Sequence, residues 1–156
     1  MGIVVIVVVL LTVGFNWRQK NRTHDWQKYT DEFLSFQIPK DWLVENSTSF
    51  YKVSFKGMPV MDIYLQNNPG NKYSEKSVRI DMKYLKNFRE ISVDNKKAVR
   101  YRNTSNPLNG PNQENVEIFL PDKEKIIWIG FFGKSEILGM DIVNYFEPFL
   151  ASLSIN

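Results

Sequence analysis

At 156 residues the chain is long enough for one core of ordinary size plus an appendage. With 43% apolar, 24% charged and 14% aromatic residues it reads as globular rather than disordered. The absence of cysteine excludes disulfides, thiolate nucleophiles, zinc ribbons, iron–sulfur ligation and a lipoprotein anchor built on an acylated Cys.

The net charge of +3 invites a nucleic-acid reading, but its distribution argues against one. Arg18, Lys20, Arg22 and Lys28 against Asp25 place all of it before residue 31, so residues 31–156 are neutral. Within that neutral part, residues 76–102 carry nine bases against three acids, and residues 103–156 carry three bases against seven acids. Two readings stay open: a dipolar domain that orients on an acidic partner, or basic and acidic segments that pair across the fold.

Ile3 to Phe15 is an uninterrupted apolar run, about 20 Å long as a helix, where a bilayer core of about 30 Å wants about 20 residues. Met1, Gly2, Asn16 and Trp17 lengthen it, and Trp17 suits a membrane interface. No small-residue cleavage site follows, so residues 1–17 are expected to be a retained transmembrane signal-anchor. A buried strand is the competing reading, but strands usually stop at about 4–8 residues. Residues 18–30 read as a basic juxtamembrane tether, and 31–156 as the folded domain. Taken literally, Arg18, Lys20 and Arg22 hold the domain on the cytoplasmic side; a basic segment upstream of Met1 reverses that orientation.

In the domain, Leu34, Phe36 and Ile38 alternate with Ser35 and Gln37 as a half-buried strand, and "PKDW" turns Trp42 back to the core. Alternation predicts further strands over 50–56 and 60–66, with "NNPGN" as a turn. For 74–91 both periods fit; Ser74 as a cap and the length predict a helix. "ISVDNKKAVRYR" predicts a hairpin turning at Asp94-Asn95 with Val93, Val99 and Tyr101 inward. Residues 103–113, rich in Asn, Pro and Gly, form a loop suited to partner contact. Glu114–Leu120 and Lys125–Gly133 make a second hairpin around "PDKE", whose arm "IIWIGFF" is a central strand by hydrophobicity. The last segment spaces Ile142, Tyr145, Phe146, Phe149, Leu150 and Leu153 as a helix, kinked at Pro148 or starting close to it. The expected class is α+β: an antiparallel sheet flanked by helices, preceded by the transmembrane helix.

The order of these pieces resembles the PsbP-like (Mog1/PsbP-fold) superfamily. The resemblance is carried by "YTDEFLSFQIPKDW" at 29–42, "VDNKKAVRYR" at 93–102, and "IIWIGFFG" followed by "YFEPFLASLSI". The hairpin has Asn95-Lys96 where many members use a Gly. The resemblance implies a sheet covered by helices in a non-enzymatic, membrane-associated accessory protein, as in photosystem II accessory proteins of the thylakoid lumen, exported bacterial proteins or a Ran-binding protein. It favours an extracytoplasmic domain over a cytoplasmic one.

Sites of chemistry are scarce. Gly133-Lys134-Ser135 ends like a P-loop, but the motif needs a Gly at position 128, which is Trp. His24 is the only histidine and lies in the tether, which removes Ser-His-Asp and Cys-His catalysis. Glu114, Glu117, Asp122 and Glu124 share one hairpin and offer oxygens for a hard cation, though solvated carboxylates explain them as well. Trp42 and Trp128 could stack a ligand, but their contexts favour core packing. The expectation is a membrane-anchored, non-catalytic accessory domain without a cofactor, catalytic or metal site, that binds a protein or envelope partner and no nucleic acid. Lys96, Lys97, Arg100, Arg102 and Asn109 are the expected partner-binding residues. The alternative is a small-molecule- or divalent-metal-binding domain with a cleft between sheet and helix.

Overall fold

The computed structural model describes residues 25–80, 85–103, 113–132 and 142–156. The expected transmembrane segment 1–17 lies outside them, and among the described residues no helix is long and apolar enough to cross a membrane.

Two antiparallel sheets face each other. The smaller joins β1 (Trp26–Thr30), β2 (Leu34–Pro39) and the short β10 (Ser154–Ile155) in the order β1-β2-β10. The larger holds β3 (Trp42–Ser47), β4 (Phe50–Phe55), β5 (Met58–Asn67), β6 (Leu85–Val93), β7 (Lys96–Asn103), β8 (Gln113–Leu120) and β9 (Lys125–Phe131). Its order is β3-β4-β5-β9-β8-β7-β6, two meanders joined where β5 pairs with β9. The hydrophobic "IIWIGFF" arm is thus the middle strand of seven, as its composition predicts. Residues 26–30, assigned to the tether from sequence, form β1 and pair along β2 from Trp26↔Pro39 to Thr30↔Ser35.

Alternation puts one set of side chains from every central strand into a single core. Val53, Met61, Ile63, Val116, Ile118, Ile127, Ile129 and Phe131 meet Leu34, Phe36 and Ile38 of the small sheet. The C-terminal segment closes the gap: a π-helical turn (Ile142–Phe146) runs into helix α2 (Glu147–Ser152), which delivers Phe146, Phe149, Leu150 and Leu153 to the same core. Pro148 lies in the first turn of α2, where its missing N–H costs nothing, so the helix begins there. Trp42 is buried as expected and stacks on Tyr145 at 5.5 Å.

Two expectations fail here. The helix predicted over 74–91 is a short α1 (Glu75–Ile80), and the second half of that segment is strand β6. The strand period in "LKNFREISV" prevails because β7 supplies a partner ladder from Leu85↔Asn103 to Val93↔Lys96. Val99 and Tyr101 do not join Val93 in the main core either. They face the opposite side, where with Val78 of α1, Phe119 and Ile126 they form a second cluster. Both faces of β7 are therefore covered, and the alternation points Arg100 toward the main core.

The β6–β7 turn is as predicted: Asp94 and Asn95 both have positive φ, 48° and 59°, the pattern of a two-residue hairpin whose twist matches its strands. Asn tolerates this region, which is why the position does without Gly. Asn95→Ala is expected to cost about 1 kcal/mol and Asn95→Gly nothing, read as a urea midpoint shift.

Candidate functional site

The expected partner residues do not form one patch. Lys96 and Lys97 are exposed at the β6–β7 turn, whereas Arg102 stands six residues along the strand, about 20 Å away. Arg100 is only 3% exposed. Its Nε donates to Glu114 at 2.8 Å, its Nη1 to Glu147 of α2 at 2.7 Å, and its guanidinium lies 5.3 Å from the centre of the Phe146 ring. Arg102 also reaches Glu114, at 3.4 Å. These pairs join the basic and acidic segments across the fold, so Arg100 holds the domain together and is out of a partner's reach. Asn109 lies outside the described residues.

The polarity of the domain follows from register. The chain comes in at Trp26 beside Pro39, and Gln27 Nε2 donates to the Trp42 carbonyl at that end. At the far end Ile155 N donates to Asp94 Oδ2 and Asn156 N to the Phe33 carbonyl. Lys96 and Lys97 adjoin that Asp94 turn, so they sit at the pole opposite the incoming chain.

The four hairpin carboxylates do not converge: Glu114 faces Arg100 and the main core, Glu117 the opposite face. Among the described residues no group of three or more His, Asp or Glu side chains could hold a metal ion.

What assembles instead is on the face away from the small sheet. Pairing across the β8–β9 hairpin sets Glu117 opposite Trp128, and Trp128 opposite Tyr64 on β5. The Trp128 indole N–H donates to the Tyr101 hydroxyl, which donates to Glu117 at 2.5 Å; the Tyr73 hydroxyl also bonds Glu117. Tyr73 comes from the segment before α1, fixed by a reciprocal pair: its N–H donates to Asn68 Oδ1 at 2.9 Å, and Asn68 Nδ2 donates to its carbonyl at 2.8 Å. Glu117, Trp128, Tyr73 and Asn68, with Gln66, Asn67 and Ile126, line a cleft of ≈ 290 Å³. Gly130 makes room for the Trp128 ring: a Cβ there would lie 2.3 Å from it and 2.5 Å from Gln113 Nε2. That Nε2 is buried and finds no hydrogen-bond partner among the described residues.

Electrostatics follow from burial. Desolvation holds the Glu117 carboxyl above its ordinary 4.5, against the two hydroxyls that favour the charged form. Burial and the neighbouring carboxylate push the Tyr101 hydroxyl up as well. The Glu117–Trp128 pairing can be counted from the "PDKE" hairpin; Tyr73 comes from a segment that no sequence signal ties to β8.

No protein-family model matches the sequence, and no curated protein is similar to it in sequence. Among solved structures, the solution structure of cyanobacterial PsbP (CyanoP) from Synechocystis sp. PCC 6803 matches it with a TM-score of 0.55. The match covers 85% of this chain and 93% of that one, at 12% identity. The fold is PsbP-like. At that identity the likeness speaks for architecture alone, and it agrees with the resemblance drawn from residues 29–155. Among the described residues the fold is mostly antiparallel sheet with few helices, where a sheet flanked by helices was expected.

Two outcomes test this account of the charges. Arg100→Ala leaves Glu114 in the core with only the longer Arg102 contact and is expected to cost about 3 kcal/mol, while Lys97→Ala leaves the urea midpoint nearly unmoved. Because the folded-state carboxyl of Glu117 titrates above its unfolded value, the contribution of this group to stability is fullest below 4.5 and is lost as pH rises from there through the raised value. Glu117→Gln should abolish that loss, seen as urea midpoints that fall less than wild type's between about pH 4 and about pH 7.

Proposed function

We propose that this chain is a non-catalytic accessory domain, held at a membrane by residues 3–17 and facing away from the cytoplasm, that binds a protein partner through its basic hairpin tip. The observation that carries the reading is the exposure of Lys96 and Lys97 at the pole opposite the incoming chain. A domain tethered at Trp26 presents that tip away from the bilayer, where another protein can meet it. The PsbP-like fold, shared with a cyanobacterial PsbP, fits an accessory role. Arg102 lies nearer the tether, so on this reading it contributes to a separate contact or to Glu114 alone.

Lys96 and Lys97 can be reversed in sign without disturbing the core, unlike Arg100. The double substitution Lys96→Glu/Lys97→Glu is expected to leave the urea midpoint in place and to abolish crosslinking of the domain to its partner in intact cells. Undiminished crosslinking would remove the tip from the interface. Proteolysis of residues 26–156 in intact cells, with any outer membrane permeabilised, is the expected result for the orientation; protection until lysis would put the domain in the cytoplasm.

A further inference from the structure

Among the described residues, no cation stands beside the Glu117 carboxylate that opens on the cleft. Glu117 is 5% exposed, and buried carboxylates are ordinarily paired with a cation. Its hydroxyl donors Tyr101 and Tyr73 are neutral. Gln66, Asn67, Asn68, Tyr73, Ile126 and Trp128, which line the cleft with it, include no base. Lys125 adjoins this region by register but turns to the other face, its Nζ 5.2 Å from the Phe33 ring centre. Lys97 lines a different hollow, with Glu75, Glu90 and Phe119.

The walls decide what kind of cation fits. A hard metal ion wants about six oxygen ligands, and this cleft offers one carboxylate. Trp128, Tyr73 and Ile126 instead give an aromatic and aliphatic lining, while the Asn68 amide is occupied in fixing Tyr73. Tyr64, its ring 5.3 Å from that of Trp128, extends the aromatic surface. Aromatic walls with one desolvated anion are suited to an organic ammonium, which gains from the ring quadrupoles as well as from the carboxylate. The volume of ≈ 290 Å³ stands at the small end for ligand sites and suits a stem of a few carbons.

We propose that this cleft binds one alkylammonium group, its charged head on Glu117 and its apolar stem against Trp128, Tyr73 and Ile126. A free alkylamine and a lysine side chain from another protein share this chemistry. The proposal stands apart from the Lys96–Lys97 surface and survives its failure.

The test is a titration of the full chain in nonionic detergent, followed by the proton–nitrogen correlation of the Trp128 indole and the amides of β8 and β9. The probes are n-butylammonium, N-acetyl-lysine methylamide, and N-acetyl-norleucine methylamide, which has the stem without the charge. Saturable shifts are expected from the lysine derivative, with or without n-butylammonium, and binding about tenfold weaker or worse for the norleucine derivative and for Glu117→Gln. If n-butylammonium binds as well as the lysine derivative, the natural ligand is a free amine; if only the lysine derivative binds, it is a protein side chain. No saturable shift from either cation, or equal affinity for the norleucine derivative, overturns the proposal. The norleucine comparison uses the wild-type chain, so it decides the matter even if Glu117→Gln alters the fold.

Discussion

Phe146 stands between the large sheet and what covers it. Its ring stacks on Phe131 of the middle strand β9 at 4.9 Å and lies 6.2 Å from Phe149, which meets Phe36 of the small sheet at 5.4 Å. Phe36 in turn contacts Tyr29 and Tyr51. A line of rings thus ties β9 to the C-terminal segment, then to β2, then back to β4. Aromatic rings of this size each bury a large apolar area, and the Arg100 guanidinium over Phe146 adds an electrostatic clasp from β7. Arg100 can be buried there because Glu114 and Glu147 meet it from two directions; with either missing, its desolvation would weigh against the fold.

Much of this arrangement was legible. Leu34, Phe36 and Ile38 alternate cleanly because one side of β2 is core and the other carries fewer large groups. The Asp94-Asn95 turn announces itself because few dipeptides accept two positive φ values. The segment 74–91 misled because Val78, Met82 and Leu85 satisfy a helical period while strand pairing is a non-local event that one segment cannot reveal. Val99 and Tyr101 misled for a related reason. Alternation says that two residues share a face but not which face has the larger core, and here both faces of β7 are buried. Arg100 therefore read as a surface base. The cleft was half legible: Glu117 and Trp128 fall opposite each other once the hairpin is granted, but Tyr73 arrives from a turn-rich stretch held by the Asn68 amide.

The two faces of the large sheet do different work. One is sealed by the small sheet and α2, and the Arg100–Glu114 pair buried on it is neutralised inside. Among the described residues the other is covered by α1 and the turn before it, and the row Tyr64–Trp128–Glu117 runs from exposed Tyr64 to buried Glu117. That face also buries Gln113, whose Nε2 finds no hydrogen-bond partner among the described residues, and Glu117, held by hydroxyls alone. A fold whose stability is supplied by one face leaves the other free to carry groups that are poor for stability.

The junction of the two meanders has a kinetic consequence. β3, β4 and β5 pair with immediate chain neighbours, as do β6, β7, β8 and β9. Each meander pairs strands that are close in sequence, at little cost in chain entropy. The β5–β9 seam is different: its pairs run from Met61↔Phe131 to Asn67↔Lys125, so even its shortest closure encloses everything from Asn68 to Glu124. Ring closure over that span must precede any reward from the seam. The middle of the finished sheet is thus the latest of its joints to close, and a ribosome must release nearly the whole chain before the core can form.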